Sequence, residues 1–139
     1  MVVSAHVASG ALAGAVSGSR AAALVLGPLL HIAGDRMPHH DVRSRRFEIA
    51  CGAVGLLALG VTRGPLDPAT LGAAAASAPD IEHIVPLPRP GGRKLFPSHR
   101  FAGWHRPGGV SATFQLVVAG AVLGALLAAP GRRRPELRR

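Results

Sequence analysis

The chain has one cysteine, no tyrosine, one tryptophan and four phenylalanines in 139 residues. A single cysteine excludes an intramolecular disulfide and any cysteine-rich zinc module. Cys51 lies in the apolar run EIACGAVGLLALG and reads as a buried structural thiol rather than a nucleophile. With aromatics at 4% there is no strand carrying stacking rings for RNA or single-stranded DNA, which argues against nucleic acid as the partner. Acids are scarce as well, seven against sixteen Lys and Arg, for a formal charge of +9. That balance favours anionic partners such as phospholipid headgroups or a phosphate-containing substrate. The N-terminal MVVSAHVASG lacks the basic region of a secretory signal, so the first helix is expected to be retained.

What fills the chain is small and aliphatic: 48% hydrophobic residues and eighteen glycines, with a mean hydropathy of +0.30. Such a composition suits helices whose backbones approach closely, as they do in bilayers. Residues 2–19, 21–34, 47–61, 69–78 and 110–129 read as apolar helices, separated by turns or by proline-rich loop. Gly10, Gly14 and Gly18 place glycine on one face of the first, and Gly120 and Gly124 do the same on the last. Pro28 should kink or break the second. Residues 110–129 are the clearest spanning candidate. The expectation is an all-α bundle of about five helices, membrane-embedded, forming one domain over residues 1–131 with a basic disordered tail over 132–139. Lys and Arg divide almost evenly between the two ends, so charge does not orient the bundle.

Against this background the polar residues cluster. LLHIAGDRMPHHDV, APDIEH and HRFAGWH hold six of the seven histidines, and His6 is the seventh. If successive helices alternate direction, as short connections favour, all the histidines meet at one end of the bundle. His31 and Asp35, four apart on a helix, share a face; Asp80 and His83 are three apart and do the same. Imidazole and carboxylate are the donors of zinc and other borderline divalent ions. His6, His31, Asp35, Asp80, His83, His99 and His105 make seven candidate ligands, enough for two ions, with His39 and His40 as secondary candidates. Two such ions generate hydroxide near neutral pH and stabilise both oxygens of an ester displacement. Each pair alone has a plainer reading, since a histidine near a helix end also serves as a C-terminal cation and Asp35 or Asp80 as a cap. Their concentration in an otherwise apolar chain favours function, because buried acids and imidazoles are costly there. Arg100 and Arg106, each beside a candidate ligand, are the arginines best placed to hold a phosphate.

His6, the H-x-x-x-D in HIAGD, PDIEH and HRFAGWH resemble the motifs of the YdjM-like family of membrane-bound metal-dependent hydrolases and, more distantly, the zinc-dependent phospholipase C and single-strand nuclease group. The H-x-x-x-D segment precedes the other motifs here, Glu82 stands for a second Asp, and the spacing from His99 to His105 is one residue longer than the usual pair. The resemblance implies an all-helical fold in a bacterial plasma membrane, a divalent metal, zinc with manganese or iron as alternatives, and hydrolytic activity. Glu82 is a candidate ligand or general base. The leading expectation is a membrane-associated metal-dependent hydrolase of esters or phosphoesters. The alternative is a non-enzymatic membrane protein that binds or handles metal, using the same donors without an open coordination position.

Overall fold

The computed structural model describes residues 1–129, and the tail expected over 132–139 lies outside the described residues. The described chain is all helical: α1 (Val3–Ser17), α2 (Arg20–Arg36), α3 (Arg45–Arg63), α4 (Pro68–Ser77), α5 (Pro97–Arg100) and α6 (Ala112–Ala128). A 3-10 turn, Ala78–His83, extends α4. Five of the six helices are those expected; α5 is a single turn inside the proline-rich loop, opened by Pro97, whose fixed φ suits a first helical position. Helix starts follow local chemistry. Ser19, Ser44, Asp67 and Ser111 each accept a backbone N–H of the following turn. Pro28 does not end α2, which runs on through it to His31 and Asp35.

α1 is the central element, packed against α2, α3, α4 and α6. The tightest crossing is with α4, where glycine is required: a Cβ on Gly10 would lie 2.1 Å from the Gly72 carbonyl oxygen, and one on Gly14 would lie 1.9 Å from that of Pro68. Gly120 and Gly124 behave otherwise, because nothing lies within 4 Å of a Cβ built on either. The glycine face expected to pack α6 is open. The helices that lack such a crossing are held by side chains, among them Arg63. Its guanidinium donates to Asp67 and to the Leu126 and Ala129 carbonyls, so it ties α3 to the start of α4 and the end of α6. Replacing Arg63 with alanine removes the charged donor from the half-buried Asp67 and Leu126 contacts and is expected to cost roughly 1.5–3 kcal/mol, read from urea unfolding followed by circular dichroism.

The core is built of small residues, Ala8, Ala11, Ala69, Ala73 and Ala119 with Val7, Leu59 and Leu123. The large aliphatics lie largely outside, with Val16 at 76%, Val54 at 65%, Leu57 at 67% and Val61 at 85% exposure. Among the described residues no helix is long and apolar enough to cross a membrane. The span expected over residues 110–129 shortens to the 17 residues of α6, about 25 Å of helix against a hydrocarbon core of about 30 Å.

Candidate metal centre

Helix polarity delivers the polar residues to one end, as the count of helices requires. α1 begins near His6, α2 ends at Asp35, and α4 runs into the turn carrying Asp80, Glu82 and His83. α5 then brings Ser98 and His99 against α2. On α2 the i, i+4 pair forms as its spacing predicts, with His31 Nε2 3.0 Å from Asp35 Oδ2. His99 Nε2 lies 3.3 Å from the same oxygen and 3.2 Å from His31 Nε2. Bonds of 2.0–2.1 Å to a tetrahedral zinc imply donors about 3.3–3.4 Å apart, so these three atoms have the spacing of one face of such a site. Asp80 Oδ1 stands behind them, 3.6 Å from His99 Nε2 and 3.9 Å from His31 Nε2. His6 stacks on His31 with ring centroids 3.9 Å apart and reaches the other Asp35 oxygen at 3.2 Å.

The tautomers suit a cation. His31 Nδ1 lies 2.7 Å from the Ala76 carbonyl oxygen, and only an N–H donates to a carbonyl, so the lone pair is on Nε2, facing the carboxylates. Glu82 does the same for His99, accepting its Nδ1–H at 2.6 Å. Two imidazole lone pairs and a carboxylate oxygen that converge within hydrogen-bond distance repel unless a proton or a cation lies among them. Two buried polar atoms beside this triangle, Asp80 Oδ2 and His6 Nδ1, have no hydrogen-bond partner. Donor chemistry, spacing and these orphaned atoms fit a divalent cation.

Glu82, expected as a ligand or base, accepts the His99 Nδ1–H with one oxygen. Its second oxygen accepts the Leu95 amide at 2.7 Å and the Phe96 amide at 3.4 Å, so both oxygens are engaged. Against the upward push of burial, those amides and His99 hold its carboxyl below the usual range. Such partners of ligating histidines raise metal affinity, and Glu82→Gln is expected to weaken zinc binding roughly 10- to 100-fold in chelator competition while leaving the fold intact. Ser98, which the motifs do not single out, donates its buried hydroxyl to Asp35 Oδ2 at 2.7 Å.

The remaining candidates divide. His83 is exposed but groups with Asp80 and His99 as donors that could hold a metal ion, its ring 4.2 Å from that of His99 and the only lysine, Lys94, 2.8 Å from its Nδ1. Arg100 is exposed and turns to Phe101, 5.9 Å from the ring centre, so the structure does not bring it to the centre. Arg45, which opens α3, takes that place on the wall of a cavity of about 260 Å³ that also admits Asp35, Asp80, His83 and His99. His40 is exposed, and its side chain joins no group of donors among the described residues. His105 does not reach the Asp35 triangle; it pairs with His39 instead.

Protonation follows from the surroundings. Burial pushes the Asp80 carboxyl up, and burial with His99 and Lys94 nearby lowers His83 to about 4. Burial alone would lower His99, but hydrogen bonds to Asp35 and Glu82 and the charge of Asp80 outweigh it and raise it above 6.5. An ion must displace the proton that His99 holds below that raised value. Metal affinity is therefore expected to fall about tenfold per pH unit on its acid side and to level off above it, which chelator competition across the neutral range checks. His83, already neutral in that window, adds no second step. No family model matches the sequence, and no curated protein or solved structure matches it either.

Proposed function

We propose that this protein is a metal-dependent hydrolase of ester or phosphoester bonds, acting at a membrane. The observation that carries the reading is the triangle of His31, Asp35 and His99 donor atoms, 3.0–3.3 Å apart, with both imidazole lone pairs aimed inward beside an open cavity. His31, Asp35, His99 and Asp80 hold the ion, zinc being the first to test, with manganese or iron as alternatives. A divalent cation supplies Lewis acidity and lowers the pKa of a bound water to about 7. The chain's own groups do the rest. Glu82 and the Ala76 carbonyl fix the two imidazoles, Ser98 fixes Asp35, and Arg45 with Lys94 presents cationic donors to an anionic substrate at the rim. The resemblance of PDIEH and HIAGD to YdjM-like motifs points the same way.

Membrane lipid as a partner, and with it a place in a bacterial plasma membrane, draws on the outward-facing large aliphatics of α1, α3 and α6. A second cavity of about 380 Å³, walled by Leu12, Leu30, Val118 and Val122 among others, opens between α1, α2 and α6 and reaches His39 at the polar end. It suits the apolar part of a lipid ester.

One feature favours a non-enzymatic metal-handling protein instead: the donor group of His6, His31 and Asp80 overlaps that of His31, Asp35 and His99, so protein donors lie on more than one side of His31, as in a closed site. Zinc-restored and metal-free protein, each in detergent, should be assayed on a phosphodiester, a phosphomonoester and a lipid ester. Turnover that needs zinc and is lost in Asp35→Asn supports the hydrolase. Tight zinc binding with no turnover on any of the three supports metal handling.

A further inference from the structure

We infer that His39, Asp41 and His105 form a second divalent-cation position, separate in its donors from the first. His39 and His105 are 66 residues apart in sequence and 3.1 Å apart at their Nε2 atoms. Backbone pairing brings them together: His39 N–H donates to the Arg106 carbonyl at 3.1 Å, and Gly108 N–H donates to that of His39 at 3.0 Å. Gly109 lets the two segments close, since its φ is +75° and a Cβ there would meet the Pro38 carbonyl oxygen at 2.4 Å. Gln115 pins the adjoining residue by donating to the His40 carbonyl at 2.9 Å.

This arrangement fixes the chemistry of His39. Its Nδ1–H donates to the Met37 carbonyl at 2.6 Å, so the neutral ring carries its lone pair on Nε2. That nitrogen faces His105 Nε2 and, at 3.2 Å, Asp41 Oδ1. One imidazole acceptor thus meets a carboxylate and a second imidazole at donor separations close to those of a tetrahedral zinc site. Two imidazoles and one carboxylate are the donor set of borderline divalent ions that keep a position open for water. A carbonyl behind the ligating histidine is the usual support for such a site.

The second position adjoins the first. The Met1 nitrogen donates to both Asp35 Oδ1, at 3.1 Å, and His39 Nε2, at 2.5 Å, so one atom spans the distance between the two sets of donors, and an ion at the second position displaces it from His39. Asp41, His105, Asp35 and His99 also line the same cavity. On the hydrolase reading, on which this last step rests, an ion held by His39, Asp41 and His105 would supply a second Lewis acid on the wall of the cavity that the first set of donors also lines.

The test is zinc stoichiometry on the full-length chain in detergent, by elemental analysis after dialysis, for the unaltered protein, for Asp41→Asn with His105→Ala, and for His31→Ala. Asp41 and His105 are exposed, so their replacement should leave the circular dichroism unchanged. Two equivalents falling to one in the Asp41→Asn, His105→Ala variant is the expected result, with cobalt absorption bands of that position lost in parallel. One equivalent in both proteins overturns the second position and leaves the first. One equivalent that survives His31→Ala but not the paired substitution supports the second position and sinks the Asp35 centre. No zinc in any of them overturns both.

Discussion

Asp35→Asn is expected to reduce zinc affinity more than a hundredfold while leaving the helical content unchanged. Asp35 is the residue on which the centre converges: its Oδ2 meets His31, His99 and Ser98, and its Oδ1 meets His6 and the Met1 nitrogen. The amide has the same shape, so no cavity forms, but it brings no charge and turns an N–H group towards imidazole lone pairs. Removing only the hydrogen-bonding partner of a ligating histidine lowers affinity roughly 10- to 100-fold. Loss of a charged donor that contacts three imidazoles must exceed that. Chelator competition reads the affinity, and circular dichroism on the same sample reads the fold. An Asp35→Asn protein that kept zinc at near-native affinity would remove Asp35 from the centre and the hydrolase reading with it.

Gly72→Val should do the reverse, abolishing the fold and the metal site together. A Cβ at Gly72 would lie 2.1 Å from the Gly10 carbonyl oxygen, and backbone cannot rotate out of the way as a side chain can. α1 and α4 would have to move apart along their whole contact, opening the core at Val7, Ala11, Ala69 and Ala73. The expected loss is more than about 4 kcal/mol, at the extreme for one substitution. Since α4 leads into the turn that carries Asp80, separation of the two helices also removes that carboxylate from His31. Gly120→Ala is the control: it is a glycine in a helix with free space around it, and alanine there should stabilise by up to about 1 kcal/mol. Urea unfolding of the two variants beside the unaltered chain decides the matter, and equal stabilities would refute the crossing.

Much of the architecture was legible in the chain because it depends on local physics. Apolar runs between turn signals gave five helices to within a few residues, while the caps at Ser19, Ser44, Asp67 and Ser111 emerged with the structure. The i, i+4 spacing of His31 and Asp35 sets their contact on any helix, and counting antiparallel helices carried His6, Asp35 and Asp80 to the same end. Gly10 and Gly14 were recognisable as a packing face, whereas Gly120 and Gly124, with the same spacing, were not distinguishable from them, because spacing does not say whether a partner helix arrives.

Sequence alone thus determined the helices, the end at which acids and imidazoles gather, and the donor chemistry available there. Tertiary structure decided how those donors are shared. His105 left the Asp35 centre for His39 because residues 38–40 pair with residues 106–110, a contact between distant segments that no periodicity encodes. Glu82 became the support of His99 because the proline-rich loop folds back and returns its Leu95 and Phe96 amides to the carboxylate. Arg45 replaced Arg100 at the cavity for the same reason: adjacency to a ligand in sequence fixes nearness of backbone, while the direction of a side chain at the end of a one-turn helix follows from what packs around it.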